Sequence, residues 1–295
     1  MNNVYVRSKN SIFNISKYRI LSLIPLILFG LYQNGYKFYK IDHELMTLFK
    51  PLMYILAGLG IGILVNLILT KKEKKMSLND ILFSSFHLEY GIILGCLMSN
   101  SVNIVTFSIC LLVLFIITKF IDIKINVLAL AFIIIYAITS YTGGFAYNEV
   151  LGKTNELKDY FIGFIPGGMC ATSFILLLVS YLILKVSSSS KTDITLYAFI
   201  TYGVLSLVYA FISKIPFIEL LTMNSYFFTF VYVATESLSS CYTLNGTKLF
   251  GLLLGLMTFI LSFINPILAS YISILILSLL HILIDKIGNK IKTIN

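Results

Sequence analysis

The chain has 295 residues, of which 58% are hydrophobic and 12% are charged, and its mean hydropathy is +0.92. Soluble domains carry roughly 45–50% apolar and about 25% charged residues, so this composition predicts an integral membrane protein and excludes a soluble domain. The formal net charge of +9 does not indicate nucleic-acid binding, because the lysines lie in loops between apolar runs.

Ten apolar runs follow one another along the chain, and a run of about 20 residues spans a bilayer as a helix. The predicted spans are Ile20–Tyr36, Phe49–Thr70, Ile81–Met98, Val102–Ile121, Asn126–Tyr141, Phe161–Leu184, Ile194–Ser213, Ile218–Val233, Lys248–Phe263 and Pro266–Ile284. The sequence therefore predicts an all-α membrane protein with about ten transmembrane helices. Its parts are a basic N-terminus (1–19), a first membrane half (20–142), a loop (143–160), a second membrane half (161–285) and a tail (286–295).

The lysines and arginines predict the orientation of these spans. Sixteen of them lie in the termini and in the loops on the same side as the termini, and six lie on the other side. The positive-inside rule therefore predicts that both termini are cytoplasmic and that the loop 143–160 faces outward. Each half has five spans, so two related halves would be inverted with respect to each other, as in many transport proteins.

The third predicted span contains an acidic residue, Glu89. It lies nine residues after Asp80, which is about 14 Å along a helix and close to the middle of the bilayer. A charged carboxylate at this depth costs roughly 2.5–3.5 kcal/mol, so such a residue is a candidate ion or proton site. The alternatives are a protonated Glu89 that a neighbouring helix satisfies, or a register that places it nearer the surface.

The sixth predicted span is interrupted by Pro166, Gly167 and Gly168. Proline removes a helical hydrogen bond, and broken backbone within a membrane is tolerated only where protein or a cavity covers it. We therefore expect the chain to enter the membrane before the break and a helix to restart near Gly168. The amides of Gly168 and Met169 at this helix start would then be available to an anion such as phosphate. The alternative is a kink that serves packing alone.

A further candidate is Glu236, which follows the eighth predicted span in a short loop on the cytoplasmic side. An acid at the end of a helix could hold a cation or a polar cofactor, or it could belong to an ordinary solvated loop. The four cysteines are far apart in sequence and form no Cys-x-x-Cys motif, so no metal site is predicted and they are interpreted as buried apolar residues. They are Cys96, Cys110, Cys170 and Cys241.

Four stretches of the chain resemble the RnfD/NqrB family, the membrane subunits of Rnf and sodium-pumping NADH:quinone oxidoreductase complexes. The clearest is Asp159–Leu184, with its isoleucine-proline-glycine and threonine-serine segments, followed by Val233–Leu261. The segment Leu279–Asp285 is similar in shape and position, and Ile125–Phe132 is a fainter match. Ten spans with cytoplasmic termini are also the plan of that family.

The resemblance implies FMN esterified through its phosphate to a threonine in the outward loop. Thr154 occupies that position here, with Gly152 at the matching spacing. The family motif has an aspartate, a hydroxyl residue and an alanine where this chain has Asn148, Leu151 and Lys153. The residues of the attachment motif are thus retained in part.

The resemblance also implies cofactor contacts at Asn126, Gly167, Gly168 and Glu236, and a second, non-covalent flavin. The expected function is that of a membrane subunit of an ion-translocating oxidoreductase, which passes electrons through flavin with Na⁺ or H⁺ coupling. Its expected partners are the bilayer, other redox subunits and a flavin transferase, and its expected location is the bacterial plasma membrane. The alternatives are a transporter or channel without flavin, and a structural subunit on the same scaffold.

Overall fold

A computed structural model of the chain describes residues 12–69, 81–83, 85–120, 125–147, 156–222 and 225–292. These residues form α-helices joined by loops and π-helical turns, with no strand among them. Five of the described helices are long and apolar enough to cross a membrane, and four more are apolar but shorter. The chain is therefore an all-helical integral membrane protein, while the count of ten spans and the placement of the termini stay predictions.

The first half begins with one nearly continuous helix. Helix α1 (Ile12–Gly30) passes through a π-helical turn at Leu31–Tyr36 into α2 (Lys37–Asp42), and His43 ends it with a left-handed φ of 53°. The remaining helices are α3 (Leu45–Leu69), α4 (His87–Leu97), α5 (Ile104–Phe120) and α6 (Val127–Thr142). Asn126 caps α6, because its side-chain oxygen accepts a hydrogen bond from the amide of Ala129.

The second half contains more short segments than the first. Its helices are α7 (Leu157–Ile162), α8 (Phe174–Val186), α9 (Thr192–Ser213), α10 (Phe217–Thr222), α11 (Tyr226–Phe228), α12 (Leu244–Ser262) and α13 (Ala269–Lys292). Helix α11 continues directly into a π-helical turn at Thr229–Val233. We call α4 the first short helix and the segment Tyr226–Val233 the second short helix.

The two short helices are shorter than the sequence predicts. The third predicted span, Ile81–Met98, contains an α-helix of 11 residues, which is about 16 Å long at 1.5 Å per residue. The second short helix has eight residues within the predicted span Ile218–Val233. Neither helix is long enough to cross a hydrocarbon layer of about 30 Å, so both end inside the protein.

Glycines allow the short first helix to lie against its neighbour. A Cβ atom placed on Gly58 of α3 would lie 2.1 Å from the carbonyl oxygen of Gly91 of α4, so the two backbones touch directly. Gly62 and Gly95 make similar contacts between the same two helices. Small residues four apart are typical of close helix packing in membranes, where dispersion contacts rather than hydrophobic burial hold helices together.

The sixth predicted span corrects one expectation from the sequence. The helix does not restart near Gly168 but at Phe174, and the chain is non-helical from Gly163 to Ser173. Gly163 ends α7 with a left-handed φ of 110°, and the segment after it lies against the end of α4. The amides of Met169 and Cys170 donate to carbonyls at the end of α4 instead of to carbonyls of their own segment, so no helix forms here.

Candidate functional site

The end of the first short helix is closed by backbone groups of the second half. The Met98 carbonyl accepts a hydrogen bond from the Met169 amide and the Cys96 carbonyl accepts one from the Cys170 amide, both at 2.9 Å. The Gly168 amide donates to the Ser225 hydroxyl at 3.1 Å. The amides of Gly168 and Met169 therefore do not fit the predicted role of phosphate donors, because protein oxygens already accept their hydrogen bonds.

All four cysteines are buried, as the sequence predicts. Cys96 and Cys170 meet at this same end, and neither side chain reaches the surface. Gly30 of α1 contacts the pair, since a Cβ atom there would lie 2.3 Å from the Cys170 Sγ. The end of the first short helix is thus a tightly packed joint of uncharged groups.

The end of the second short helix is closed by a charged side chain. Arg19 of α1 is buried, and its guanidinium donates to the Tyr232 carbonyl at 2.5 Å and to the Thr235 carbonyl at 3.4 Å. The last carbonyl groups of a helix lack intrahelical donors and carry partial negative charge. The positive charge of Arg19 therefore lies where the helix dipole stabilises it.

Glu89 pairs with the same arginine. Its Oε1 atom lies 2.8 Å from Arg19 Nε, and both side chains are almost completely inaccessible to solvent. The Ser16 hydroxyl lies beside the carboxylate. Glu89 is in the first turn of α4 and is fully buried within the protein, while its depth in the membrane stays a prediction. A buried ion pair of this kind is costly to break, because either partner alone would leave a bare charge.

Glu236 is a second buried carboxylate beside this ion pair. Its side chain is fully buried, so the solvated-loop alternative is wrong. Ser239 donates a hydrogen bond of 2.6 Å to Oε2, whereas Oε1 makes no well-formed hydrogen bond. The Tyr90 hydroxyl and the Val127 amide lie beside the carboxylate, and Tyr90 also lies close to Glu89.

Asn126, at the start of α6, lies beside Glu236 and bonds to both the second short helix and α13. Its side-chain amide donates to the Val233 carbonyl at 2.8 Å and to the Ser239 hydroxyl at 3.1 Å, and its backbone amide donates to Ser278 of α13. The structure thus brings together three residues that the sequence singles out separately. Glu89, Asn126 and Glu236 meet around the end of the second short helix, and we call them, with Arg19, the charged cluster.

The predicted attachment loop is described only at its two ends. Gly152 and Thr154 lie outside the described residues. Before them, the Phe145 ring packs on Tyr136 of α6 with ring centroids 5.0 Å apart. After them, the exposed Lys158 pairs with Glu156 at 2.6 Å, and this carboxylate raises the pKa of the Lys158 ammonium.

Sequence reasoning missed Arg19, Tyr90 and Ser239. Charge counting alone places Arg19 in the basic N-terminus. The available signal is the presence of two acids, Glu89 and Glu236, in or beside apolar runs, because buried acids require a partner. Arg19 is the arginine that adjoins an apolar run, which makes it the natural candidate.

Fold and site together define an all-α integral membrane protein with two short helices. Backbone amides bind the end of the first, and a buried arginine binds the end of the second. The model of the NQR2, RnfD, RnfE family matches residues 1–292, and the chain belongs to this family. The chain is also similar to a subunit of the Na(+)-translocating NADH-quinone reductase of Chromohalobacter salexigens. The two are 29% identical over 115 residues, which cover 37% of this chain and 28% of that relative.

Proposed function

We propose that the chain is a membrane subunit of an Rnf- or Nqr-type complex that carries electrons across the bilayer through flavin, coupled to the movement of an ion. The match over residues 1–292 supports the subunit assignment. The observation that carries the ion coupling is the charged cluster, since ionisable groups buried in a membrane protein are costly and typically mark a pathway for ions or protons.

Flavin attachment is proposed at Thr154. A phosphoester requires a hydroxyl group, and Thr154 is the only serine or threonine between Gly143 and Lys158. A bound flavin supplies the electron-transfer chemistry, whereas the protein supplies position and electrostatics. The engaged amides of Gly168 and Met169 make no contribution to binding the phosphate in this proposal.

The flavin proposal is tested by co-expressing the chain with a competent flavin transferase. The denatured protein should fluoresce as a band on a gel, and Thr154→Ala should abolish the fluorescence. Thr142→Ala, at the end of α6 outside the loop, is the matched control and should leave it unchanged. A dark wild-type band would contradict covalent attachment.

The alternative is a transporter, channel or structural subunit without flavin on the same scaffold. It is favoured by Leu151 and Lys153, which replace a hydroxyl and a small residue of the attachment motif. The purified protein discriminates between the two, because a flavin-carrying subunit absorbs visible light and is yellow. A colourless protein that co-purifies with no redox subunit would support the alternative.

The proposed setting is the plasma membrane of a bacterium, within a complex of several redox subunits and with access to a flavin transferase. Family membership supports the multi-subunit assembly. Co-purification under mild detergent, followed by identification of the associated chains, tests this part of the proposal.

A further inference from the structure

We infer that a cavity at the starts of α9 and α12 binds the phosphate of an anionic phospholipid. The cavity has a volume of about 580 Å³ and is lined by the turn between α8 and α9 and by the first residues of α12. Sites for small molecules typically measure about 300–1,000 Å³, so the cavity is large enough for a lipid headgroup. The inference is independent of the proposed function, since it invokes neither flavin nor ion movement.

The charges around the cavity favour a single negative charge. Lys185 in the last turn of α8, Lys191 before α9 and Asp193 in the first turn of α9 line it, so one positive charge is in excess. A phosphodiester carries one negative charge. The Lys191 Nζ donates to the carbonyl and the hydroxyl of Ser240, at 3.0 and 2.8 Å, and lies 4.4 Å from the centre of the Tyr242 ring. An ammonium group that is already held in place lowers the entropic cost of binding an anion.

The starts of two long helices also open into the cavity. Thr192 begins α9 and Leu244 begins α12, and both line it. The first amides of a helix lack intrahelical partners and carry partial positive charge, which favours an anion. Ser190, in the preceding turn, lines the cavity with a hydroxyl oxygen that is buried and makes no hydrogen bond within the described residues. Buried polar atoms are normally paired, so this hydroxyl is available to donate to a phosphate oxygen.

An exposed apolar stripe on α8 indicates a lipid rather than a soluble phosphate. Leu178, Leu182 and Val186 are exposed and lie four residues apart, so they share one face of the helix. Val186 directly follows Lys185, so the stripe extends to the level of the cavity. The lysine distribution predicts that this side is cytoplasmic, where basic pockets between membrane helices typically bind anionic headgroups. The acyl chains of a lipid whose phosphate occupies the cavity can lie along the stripe.

Lipid binding is measured on the purified chain by native mass spectrometry from detergent, with added phosphatidylglycerol or phosphatidylcholine. We expect the wild type to bind one phosphatidylglycerol molecule more tightly than phosphatidylcholine, whose choline group cancels the charge of the phosphate. Lys185→Gln should weaken the binding of phosphatidylglycerol about fivefold, the typical contribution of one lysine near an anionic lipid. Lys248→Gln is the matched control, because it changes an exposed lysine of α12 that does not line the cavity.

A second variant and a soluble competitor keep the test decisive. Ser190→Ala retains every charge, removes the buried hydroxyl and should also weaken the binding. Unchanged affinity in both Lys185→Gln and Ser190→Ala, or an equal loss in Lys185→Gln and Lys248→Gln, would overturn the site. Equal affinity for the two lipids would overturn the assignment to an anionic headgroup. Displacement of phosphatidylglycerol by an equimolar amount of glycerol 3-phosphate would show a site for soluble phosphates and would overturn the lipid as its occupant.

Discussion

The carbonyl groups at the ends of the two short helices receive their hydrogen bonds from different kinds of donor. Each end leaves carbonyl groups without intrahelical donors, and buried carbonyls must be paired. At the first short helix, the backbone amides of Met169 and Cys170 supply the hydrogen bonds. At the second, the side chains of Arg19 and Asn126 supply them.

The difference separates a structural joint from a chemical site. Backbone donors are uncharged, so the first end contains apolar residues and the thiols of Cys96 and Cys170. Arg19 is charged and its burial requires acids, which explains why Glu89 and Glu236 lie at the second end. Among the described residues at these two ends, the buried charged side chains thus lie at the end of the second short helix, and the end of the first is uncharged.

The largest expected effect is the loss of the charge at the second end. Arg19→Gln leaves Glu89 buried without its partner, and breaking a buried pair costs about 3–5 kcal/mol. The apparent unfolding temperature in detergent should fall strongly. Lys17→Gln, which changes an exposed residue of the same helix, should have little effect. Equal effects of the two variants would contradict a buried, paired Arg19.

A smaller effect is expected from crowding the first end. In Gly168→Ala, the new Cβ atom would lie 2.9 Å from the Leu97 Cα and carbonyl oxygen, both backbone atoms. Overpacking of this kind costs about 1–3 kcal/mol, and thermal unfolding would report it. Gly143→Ala is the control, because nothing lies within 4 Å of its Cβ position. If the Gly168→Ala protein were as stable as the control, the backbone at Leu97 would have to shift to accept the methyl group, and the close packing at this end would not be rigid.

The smallest of these effects is expected for Asn126→Ala. The substitution removes the N-cap of α6, which typically contributes about 0.5–2 kcal/mol, and the hydrogen bond to the Val233 carbonyl. Asn126→Ser retains a side-chain oxygen for the cap without the amide donor and without a new charge, so it separates the two contributions. If the Ser variant were as stable as the wild type, the bond to Val233 would have no part in holding the second end.

Several of the apolar helices could be predicted from the sequence, because a long apolar run indicates a membrane span. The observed α3, α5, α6, α9 and α12 lie close to the predicted spans. The predicted spans are longer than the two short helices. The apolar runs continue into non-helical segments that are buried against other helices, so run length alone does not show where each helix ends. Met98, Met169 and Cys170 are examples, since their backbone hydrogen bonds join distant parts of the chain and leave no periodic signal in the sequence.

The site was predictable in its parts but not in its assembly. Glu89 and Glu236 stand out as acids in apolar surroundings, and Asn126 stands out by resemblance. Their convergence depends on contacts more than 100 residues apart along the chain, such as Asn126 with Val233. Gly152 and Thr154 lie outside the described residues, so the outward orientation and the role of their loop stay predictions.

A double-mutant cycle between Arg19 and Glu89 tests the central claim most directly. The free energy of unfolding is compared for the wild type, Arg19→Gln, Glu89→Gln and the double variant. The account predicts that adding Glu89→Gln to Arg19→Gln recovers stability, with a coupling of about 0.5–3 kcal/mol, because Glu89 is then no longer a buried charge without its partner. Strictly additive losses would contradict the claim that these two residues form the charged joint at the second short helix.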